Sequence, residues 1–121
     1  MTGVLVVDDE TDMRLLVGAI IERANEGLVV VGLAATGAEA IARWREIRPD
    51  VILLDHRMAD MTGLEAAETI LAEQPDQQII LFSAFLDAEI RAKARELGIL
   101  MCLPKTDLSQ IPEALWRLDT E

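Results

Sequence analysis

The chain has 121 residues, of which 51% are hydrophobic and 27% charged, a composition typical of one globular domain over residues 1–121 and unlike that of a disordered or repetitive chain. A chain of this length buries roughly two-thirds of its unfolded surface, so its core needs neither disulfides nor a structural metal. With 22 acidic and 11 basic residues the net charge is -11, which opposes binding to nucleic acid phosphates or to an anionic membrane.

Five short apolar runs, rich in β-branched residues, predict five strands. The runs are Gly3 to Val7, Leu28 to Ala34, Val51 to Leu54, Gln78 to Phe82 and Ile99 to Leu103. Because the runs are nearly continuous rather than alternating, both faces of the predicted sheet should be covered, as in a parallel sheet. Acidic residues follow the first run at once, and no run approaches the roughly 18 apolar residues of a membrane span. We therefore expect a soluble protein without a cleaved leader. The single cysteine, Cys102, cannot form an intrachain disulfide, which indicates a cytoplasmic location.

Amphipathic segments of helical period separate these runs. The first covers Thr11 to Ala24 and ends before Gly27. Two threonine–glutamate pairs with capping-box spacing begin the second and third helices, namely Thr36 with Glu39 and Thr62 with Glu65. The side chains predicted to face the core are Leu16, Val17, Ile20 and Ile21 in the first helix, and Ala40, Ile41, Trp44 and Ile47 in the second.

The last two segments predict a loosely held helix and a late-starting one. Asp87 to Leu97 carries a thin apolar stripe among charged residues and is followed by a glycine. Pro112 would break a helix capped at Asp107, whereas a cap at Ser109 places the proline in the first turn, where its missing N–H is not needed. We therefore predict a final helix that is capped at Ser109 and runs to about Leu118.

Strict alternation of strands and helices predicts an α/β domain with a parallel sheet and helices on both faces. In such sheets, ligands bind at the carboxyl ends of the strands. Polar residues follow four of the predicted strands, namely Asp8 with Asp9, Asp55, Ser83 and Lys105. Three clustered carboxylates repel one another unless a hard cation such as Mg²⁺ compensates their charge. With a lysine and a hydroxyl beside them, they form a site suited to a phosphoryl group.

Each of these residues alone has a plain structural explanation. An acidic pair is favoured at a helix N-terminus, a serine after a strand is a common turn residue, and a lone lysine is usually solvated. The indication of a phosphoryl site comes from their joint placement on four elements of one sheet.

Four segments resemble the receiver domain of two-component response regulators. They are Leu5 to Glu10 (LVVDDE), Ile52 to Glu65 (ILLDHRMADMTGLE), Ile79 to Ala84 (IILFSA) and Leu97 to Lys105 (LGILMCLPK). The resemblance implies a flavodoxin-like, doubly wound sheet of strand order 2-1-3-4-5. It also implies a signalling switch rather than an enzyme, because such a domain catalyses only its own phosphorylation and dephosphorylation.

The resemblance implies a role for each candidate residue. Asp55 accepts a phosphoryl group from a phosphohistidine, and Lys105 pairs with a phosphoryl oxygen or with Asp55. Ser83, with the backbone N–H of Ala84, holds the phosphoryl group and acts as a switch residue. The ligands implied for Mg²⁺ are Asp55, Asp9, Asp8 through water, and the backbone carbonyl of Arg57.

Three positions depart from the family pattern. Cys102 stands where the family often has the Tyr or Phe that follows the switch hydroxyl, so we expect weaker coupling between the site and the outer face. Thr106 follows Lys105 where a proline is usual, and a non-proline cis peptide costs about 2.5 to 4 kcal/mol, so the usual cis bond is doubtful. Ala59 replaces a common proline and loosens the loop that leads to the third helix.

Three other functions fit parts of the sequence. A Mg²⁺-dependent aspartyl phosphatase of the haloacid dehalogenase type also has an aspartate at a strand end, but its D-x-D-x-[TV] signature fails at two positions between Asp8 and Asp12. A pseudo-receiver, which binds partners without phosphorylation, would be expected to lack Asp55 or Lys105. A hydrolase built on His56 and Ser83 would need a G-x-S-x-G elbow that the sequence lacks.

The partners implied by the resemblance are proteins. A sensor histidine kinase or a histidine phosphotransfer protein would dock over the phosphorylation pocket, near Met13 and the loop around Pro104. An output partner or fused effector domain would bind the face of the fourth helix, fifth strand and fifth helix, where the expected residues are Arg91, Lys93, Arg95 and Trp116. A homodimer formed on phosphorylation is a further option. We expect no direct nucleic acid binding and no membrane association.

Overall fold

A five-stranded parallel sheet of order β2-β1-β3-β4-β5 forms the centre of the molecule. The structure, a computed structural model, describes residues 1–24 and 26–120, with side chains up to Leu118. The strands are β1 (Thr2–Val7), β2 (Leu28–Ala34), β3 (Val51–Asp55), β4 (Gln78–Ser83) and β5 (Met101–Pro104). This order confirms the flavodoxin-like fold expected from the sequence.

Five helices cover the two faces of the sheet. They are α1 (Thr11–Ala24), α2 (Gly37–Ile47), α3 (Gly63–Glu73), α4 (Ala88–Leu97) and α5 (Ile111–Thr120). Along β1, Leu5 and Val7 pack into one core cluster with α2, α3 and α4, whereas Val4 and Val6 pack into a second cluster with α1 and α5. The apolar runs are continuous because both faces are buried. No helix within residues 1–24 and 26–120 is long and apolar enough to cross a membrane.

Both predicted threonine caps are present. The Thr36 hydroxyl accepts a hydrogen bond from the Glu39 N–H at 3.1 Å, and the Thr62 hydroxyl accepts one from the Glu65 N–H at 3.2 Å. Glu65 completes a capping box by accepting from the Thr62 N–H at 2.9 Å. The carboxylate of Glu39 accepts instead from the Ala35 N–H at 3.2 Å, so only α3 has the full box.

The start of the last helix differs from the prediction. Asp107, not Ser109, is the capping residue, since its carboxylate accepts from the Ser109 N–H at 3.0 Å. A short 3₁₀ turn over Leu108–Gln110 follows, and α5 begins at Ile111. Pro112 still lies in the first turn of the α-helix, as predicted, so the late start is confirmed. The prediction of Ser109 as the capping residue is wrong.

Helix α4 is held weakly, as its composition predicts. Ala94 is its one fully buried side chain. The helix ends at Gly98, whose φ of 96° is the left-handed conformation that glycine favours. Because the Ile99 N–H then donates to the Ala94 carbonyl at 2.9 Å, Ile99 belongs to the helix end, and β5 begins at Met101 rather than at Ile99.

The inward stripe predicted for α1 is partly wrong. Val17 and Ile21 are buried and Ile20 is half-buried, but the side chain of Leu16 is 48% exposed. The periodicity of four neighbouring apolar residues cannot decide which of them lies at the edge of the buried stripe.

Candidate functional site

Four strands deliver their polar end residues to one edge of the sheet. Asp55 and Ser83 are the last residues of β3 and β4, and Asp8 and Lys105 directly follow β1 and β5. The registers that align these ends pair Val7 with Leu54, Asp55 with Phe82, and Ser83 with Pro104. The predicted site residues therefore come together because the strands are parallel and end at similar heights.

Lys105 lies between two buried carboxylates. Its Nζ is 2.7 Å from Asp8 Oδ2 and 3.1 Å from Asp55 Oδ1. Asp8 and Asp55 are 1% and 3% exposed. The backbone N–H of Lys105 also donates to the Ser83 carbonyl at 3.0 Å, which fixes the lysine to the end of β4. One ammonium thus faces two carboxylates that are almost completely shielded from solvent.

This arrangement shifts the pKa values of Asp55 and Lys105. Burial raises the pKa of Asp55 to about 6; the positive charge of Lys105 opposes the rise, while the negative charges of Asp8 and Asp9 add to it. Burial by itself would lower the pKa of Lys105, but the hydrogen bond to Asp8 and the charge of Asp55 outweigh it and raise that pKa above its ordinary value. The lysine therefore stays charged at neutral pH.

Asp9 and Glu10 extend the acidic group toward solvent. Both side chains are exposed, and carboxylate oxygens of Asp8, Asp9 and Glu10 lie within 4.8 Å of one another. The two oxygens of Asp8 already accept from Lys105 and from the Glu10 N–H, the latter at 2.9 Å. These donors are all oxygens, which suits a hard cation such as Mg²⁺. The single positive charge of Lys105 also leaves part of the negative charge of Asp8 and Asp55 uncompensated. Glu10 was not among the ligands predicted from the sequence.

Ser83 and Arg57 lie on the loops that border this group. The Ser83 hydroxyl donates to the Phe85 carbonyl at 3.2 Å and accepts from the Phe85 N–H at 3.3 Å, so it is bonded to its own loop. The ring of Phe85 is 55% exposed, and the guanidinium carbon of Arg57 lies 5.9 Å from the centre of that ring. The side chains of Arg57 and Phe85 are therefore neighbours, on the loops that follow β3 and β4.

The loop from β3 to α3 is fastened to its surroundings. The Gly63 N–H donates to the His56 carbonyl at 2.7 Å, and Arg57 pairs with Thr62 in an isolated antiparallel bridge. A Cβ atom at position 63 would collide with the backbone carbonyl of Asp55, so only glycine allows this approach. The first residue of α3 thus packs against the backbone of the candidate phospho-acceptor.

Asp60 connects the same loop to α2, and sequence reasoning missed it. Its carboxylate accepts from the Gly37 and Ala38 N–H groups at 2.9 Å each. These bonds, the one from Ala38 first, lower the pKa of Asp60. A carboxylate at a helix N-terminus is favoured by unpaired N–H groups and by the helix dipole. The capped start at Thr36 was visible in the sequence, but its long-range partner was not.

Cys102 and Trp116 lie on different sides of the molecule. Cys102 is half-buried on β5, and burial raises the pKa of its thiol, while the positive charges of Arg91 and Arg95 oppose the rise. Trp116 is half-buried against the cluster of α1 and α5, and its indole N–H donates to the Glu26 carbonyl at 3.2 Å. The placement of Trp116 with Arg91 and Arg95 on one output face is therefore wrong. Between Lys105 and Thr106 the peptide bond is trans.

The family model for the response regulator receiver domain matches residues 4–115. The chain belongs to the receiver-domain family. It is therefore a module of two-component signalling, similar to the receivers of known response regulators, and is consistent with a phospho-accepting switch. The resemblance drawn from the four sequence segments is thereby confirmed.

Two relatives of known name are longer than this chain and match it over one part of their length. The chain is 40% identical over 102 residues to a protein-glutamate methylesterase/protein-glutamine glutaminase of Halobacterium salinarum, covering 83% of this chain and 28% of that protein. It is 35% identical over 116 residues to the transcriptional regulatory protein LiaR of Bacillus subtilis, covering 95% of this chain and 54% of LiaR. The receiver thus spans about a quarter to a half of the length of these two relatives.

A solved receiver structure agrees with the fold. The response regulator domain of Thermotoga maritima CheB superposes with a TM-score of 0.88 at 30% identity, covering 99% of this chain and 95% of that one. The whole receiver, including the carboxyl edge with Asp8, Asp55 and Lys105, therefore lies within the shared fold.

Proposed function

We propose that this receiver takes a phosphoryl group from a phosphohistidine onto Asp55. The observation that supports the proposal most directly is the placement of Lys105 Nζ, 2.7 Å from Asp8 and 3.1 Å from Asp55 at the buried carboxyl edge. In the transfer, an Asp55 carboxylate oxygen forms a bond to phosphorus, the bond between phosphorus and the donor imidazole breaks, and the electron pair leaves with the imidazole. A carboxylate suffices as nucleophile because phosphoryl transfer depends mainly on positioning and charge neutralisation.

The residues around Asp55 have separate tasks in this transfer. Lys105 neutralises charge on a phosphoryl oxygen, and the hydroxyl of Ser83 and the N–H of Ala84 donate to the others. Asp9, Asp55 and the Arg57 carbonyl would hold Mg²⁺ directly, with Asp8 acting through water. Bound Mg²⁺ would neutralise the phosphoryl oxygens and the carboxylates together. Glu10 is a further oxygen donor within reach of this group.

Switching follows from a change in the partners of Ser83. Its hydroxyl is held by the Phe85 backbone, and drawing it toward a phosphoryl group breaks both of those bonds. The loop then pulls on α4, which a single buried residue, Ala94, anchors. Cys102 offers no ring to follow this movement, so the fifth strand should change less than the loop does.

The phosphodonor and the output use different surfaces. A kinase or phosphotransfer protein docks near Met13 and Pro104, because the donor histidine must come within bonding distance of Asp55. The exposed side chain of Leu16, one helical turn beyond Met13, adds apolar area to that surface. The output partner, fused effector or second copy binds the face of α4, β5 and α5, which includes Arg91 and Arg95. Neither surface is assigned to nucleic acid.

The test of the proposal is phosphorylation in vitro. The protein is incubated with Mg²⁺ and acetyl phosphate, and intact mass should show the addition of one phosphoryl group. Asp55→Asn should abolish the addition, whereas Asp76→Asn, at an exposed position in the loop before β4, should leave it unchanged. Addition at the wild-type level in Asp55→Asn would refute the assignment, and no addition to the wild type would favour a pseudo-receiver.

A further inference from the structure

A cleft of about 560 Å³ lies between α3 and α4, on the side of the molecule away from α1 and α5. Its apolar lining comes from Leu64, Ile90 and Leu97, each half-buried against the core cluster under the two helices. His56, the residue after Asp55, also lines it.

The rim of this cleft is strongly acidic. Among the described residues that line it, Lys93 is the one lysine or arginine, and it already pairs with Glu89 at 3.6 Å. The carboxylates on the lining side chains are Glu65 and Glu68 from α3, Asp87 before α4, and Glu89 and Glu96 from α4. Like charges thus face each other across an apolar floor, and a cationic occupant would relieve their repulsion.

We propose that the α3–α4 cleft docks a basic amphipathic helix of a protein partner. The two walls are helices of 11 and 10 residues, so the groove between them matches about three turns of a third helix. Apolar side chains spaced over successive turns would contact Leu64, Ile90 and Leu97, and flanking Lys or Arg side chains would reach Glu68 and Glu96. Charge complementarity favours this occupant over an acidic segment or a second copy of this chain, whose net charge is -11.

Docking there would also stabilise α4. A helix that contacts Ile90 and Leu97 adds buried area to an element in which Ala94 is the one fully buried side chain and Ile90 and Leu97 are half-buried. Amide hydrogen exchange in residues 88–97 should therefore slow when the cleft is filled. The proposal does not depend on Asp55 being the phospho-acceptor, so Asp55→Asn should bind the same helix.

The experiment measures binding of a synthetic helix of lysine and leucine, about four turns long, with the leucines on one face. Fluorescence anisotropy is recorded with the wild type, with Asp55→Asn and with a cleft variant, Glu68→Lys with Glu96→Lys. The matched control, Glu46→Lys with Asp76→Lys, makes the same change in net charge at exposed positions outside the cleft lining. A peptide of the same composition with its leucines spread around the helix tests the need for an apolar face.

The cleft variant should bind about tenfold more weakly, while Asp55→Asn and the control stay within about twofold of the wild type. The thermal transition of each variant shows that it folds. Equal losses in the cleft variant and in the control would show only general attraction to an acidic protein and would overturn the proposal. The proposal would also be overturned if the two peptides bound equally well, or if the wild type bound neither. It would be overturned as well if spermidine bound as tightly as the amphipathic peptide and displaced it completely.

Discussion

At the scale of single residues, Lys105 stands out because one cation serves two buried carboxylates. Its side chain is 10% exposed, and those of Asp8 and Asp55 are 2% and 4% exposed. A buried pair contributes little net stability over an apolar replacement, but removing one partner leaves an uncompensated buried charge. Lys105 therefore stabilises the fold at neutral pH, in addition to the phosphoryl-binding role proposed for it.

Replacing Lys105 with methionine should lower the free energy of unfolding by about 3 kcal/mol near neutral pH. Protonation of Asp55 relieves the uncompensated charge, so the loss should shrink below the pKa of that residue, which is raised to about 6. Urea denaturation of the wild type and the variant, near neutral pH and again below pH 6, measures the loss in the free energy of unfolding at each pH. Lys93→Met, which removes an exposed pair with Glu89, is the control and should change stability little. Equal losses in the two variants would contradict the role given to Lys105.

Asp60 illustrates what sequence reasoning at this scale cannot find. Asp8, Asp9, Asp55, Ser83 and Lys105 could be predicted because each follows an apolar run, and parallel strands bring such positions together. Asp60 lies in a loop and bonds to backbone groups 22 and 23 residues away. Nothing local indicates such a partner, since any carboxylate in a polar loop has the same sequence appearance. The bond from the Trp116 indole to Glu26 was hidden for the same reason.

Asp60→Ala should lower the melting temperature and slow phosphorylation of Asp55. The substitution frees two N–H groups at the start of α2 and releases the loop that carries Arg57. Asp60→Asn keeps one acceptor oxygen and should retain part of both properties. Thermal denaturation and the rate of acetyl phosphate incorporation measure the effects, with Asp76→Ala as the control. A normal rate in Asp60→Ala would mean that the loop keeps its geometry without this contact.

At the scale of elements, α3 and α4 form a contrasting pair of neighbours. Five of the 11 residues of α3 are buried, whereas Ala94 alone is buried among the 10 of α4. The thin stripe of α4 was readable in the sequence because charged residues surround Ile90, Ala94 and Leu97. The start of β5 was not, because Ile99 is as apolar as a strand residue and its hydrogen bond to Ala94 depends on the backbone of Gly98.

Amide hydrogens of α4 should exchange faster than those of α3 in the unphosphorylated protein. Local opening is easier where few side chains are buried, so the two helices should differ although their lengths are nearly equal. Hydrogen exchange followed by mass spectrometry resolves peptides from residues 63–73 and 88–97. Equal protection of the two helices would show that α4 is held by the rest of the fold and would weaken its assignment as the moving element.

At the scale of the whole molecule, the charge balance sets the response to pH and to metal. The folded pKa of Asp55, about 6, lies above its ordinary value of 3.8. A raised pKa adds stability that is fully present below about pH 4 and is lost as the pH rises through about 6. The carboxyl edge is therefore destabilising at neutral pH in the metal-free protein.

Addition of Mg²⁺ near neutral pH should raise the melting temperature, and Asp55→Asn in metal-free buffer should do the same. The difference in melting temperature between Asp55→Asn and the wild type should grow between about pH 4 and pH 6, because only the wild type loses the protonated Asp55. Differential scanning fluorimetry across this range, with and without Mg²⁺, measures both effects. A constant difference between the two proteins would show that Asp55 does not titrate in this window.

The contact between Asp8 and Lys105 joins residues 97 positions apart in the chain. During synthesis, Asp8 and Asp55, the two carboxylates that contact Lys105, leave the ribosome well before the lysine does. A nascent chain that ends before β5 therefore has two acids at the sheet edge without their cation, and Lys105, which follows β5, later reduces the repulsion between them. Forming a contact across such a long stretch of chain is slow, because the chain loses conformational entropy before the stabilising contact forms. Compensation of the two carboxylates by Lys105 is consequently established only after β5 has joined the sheet.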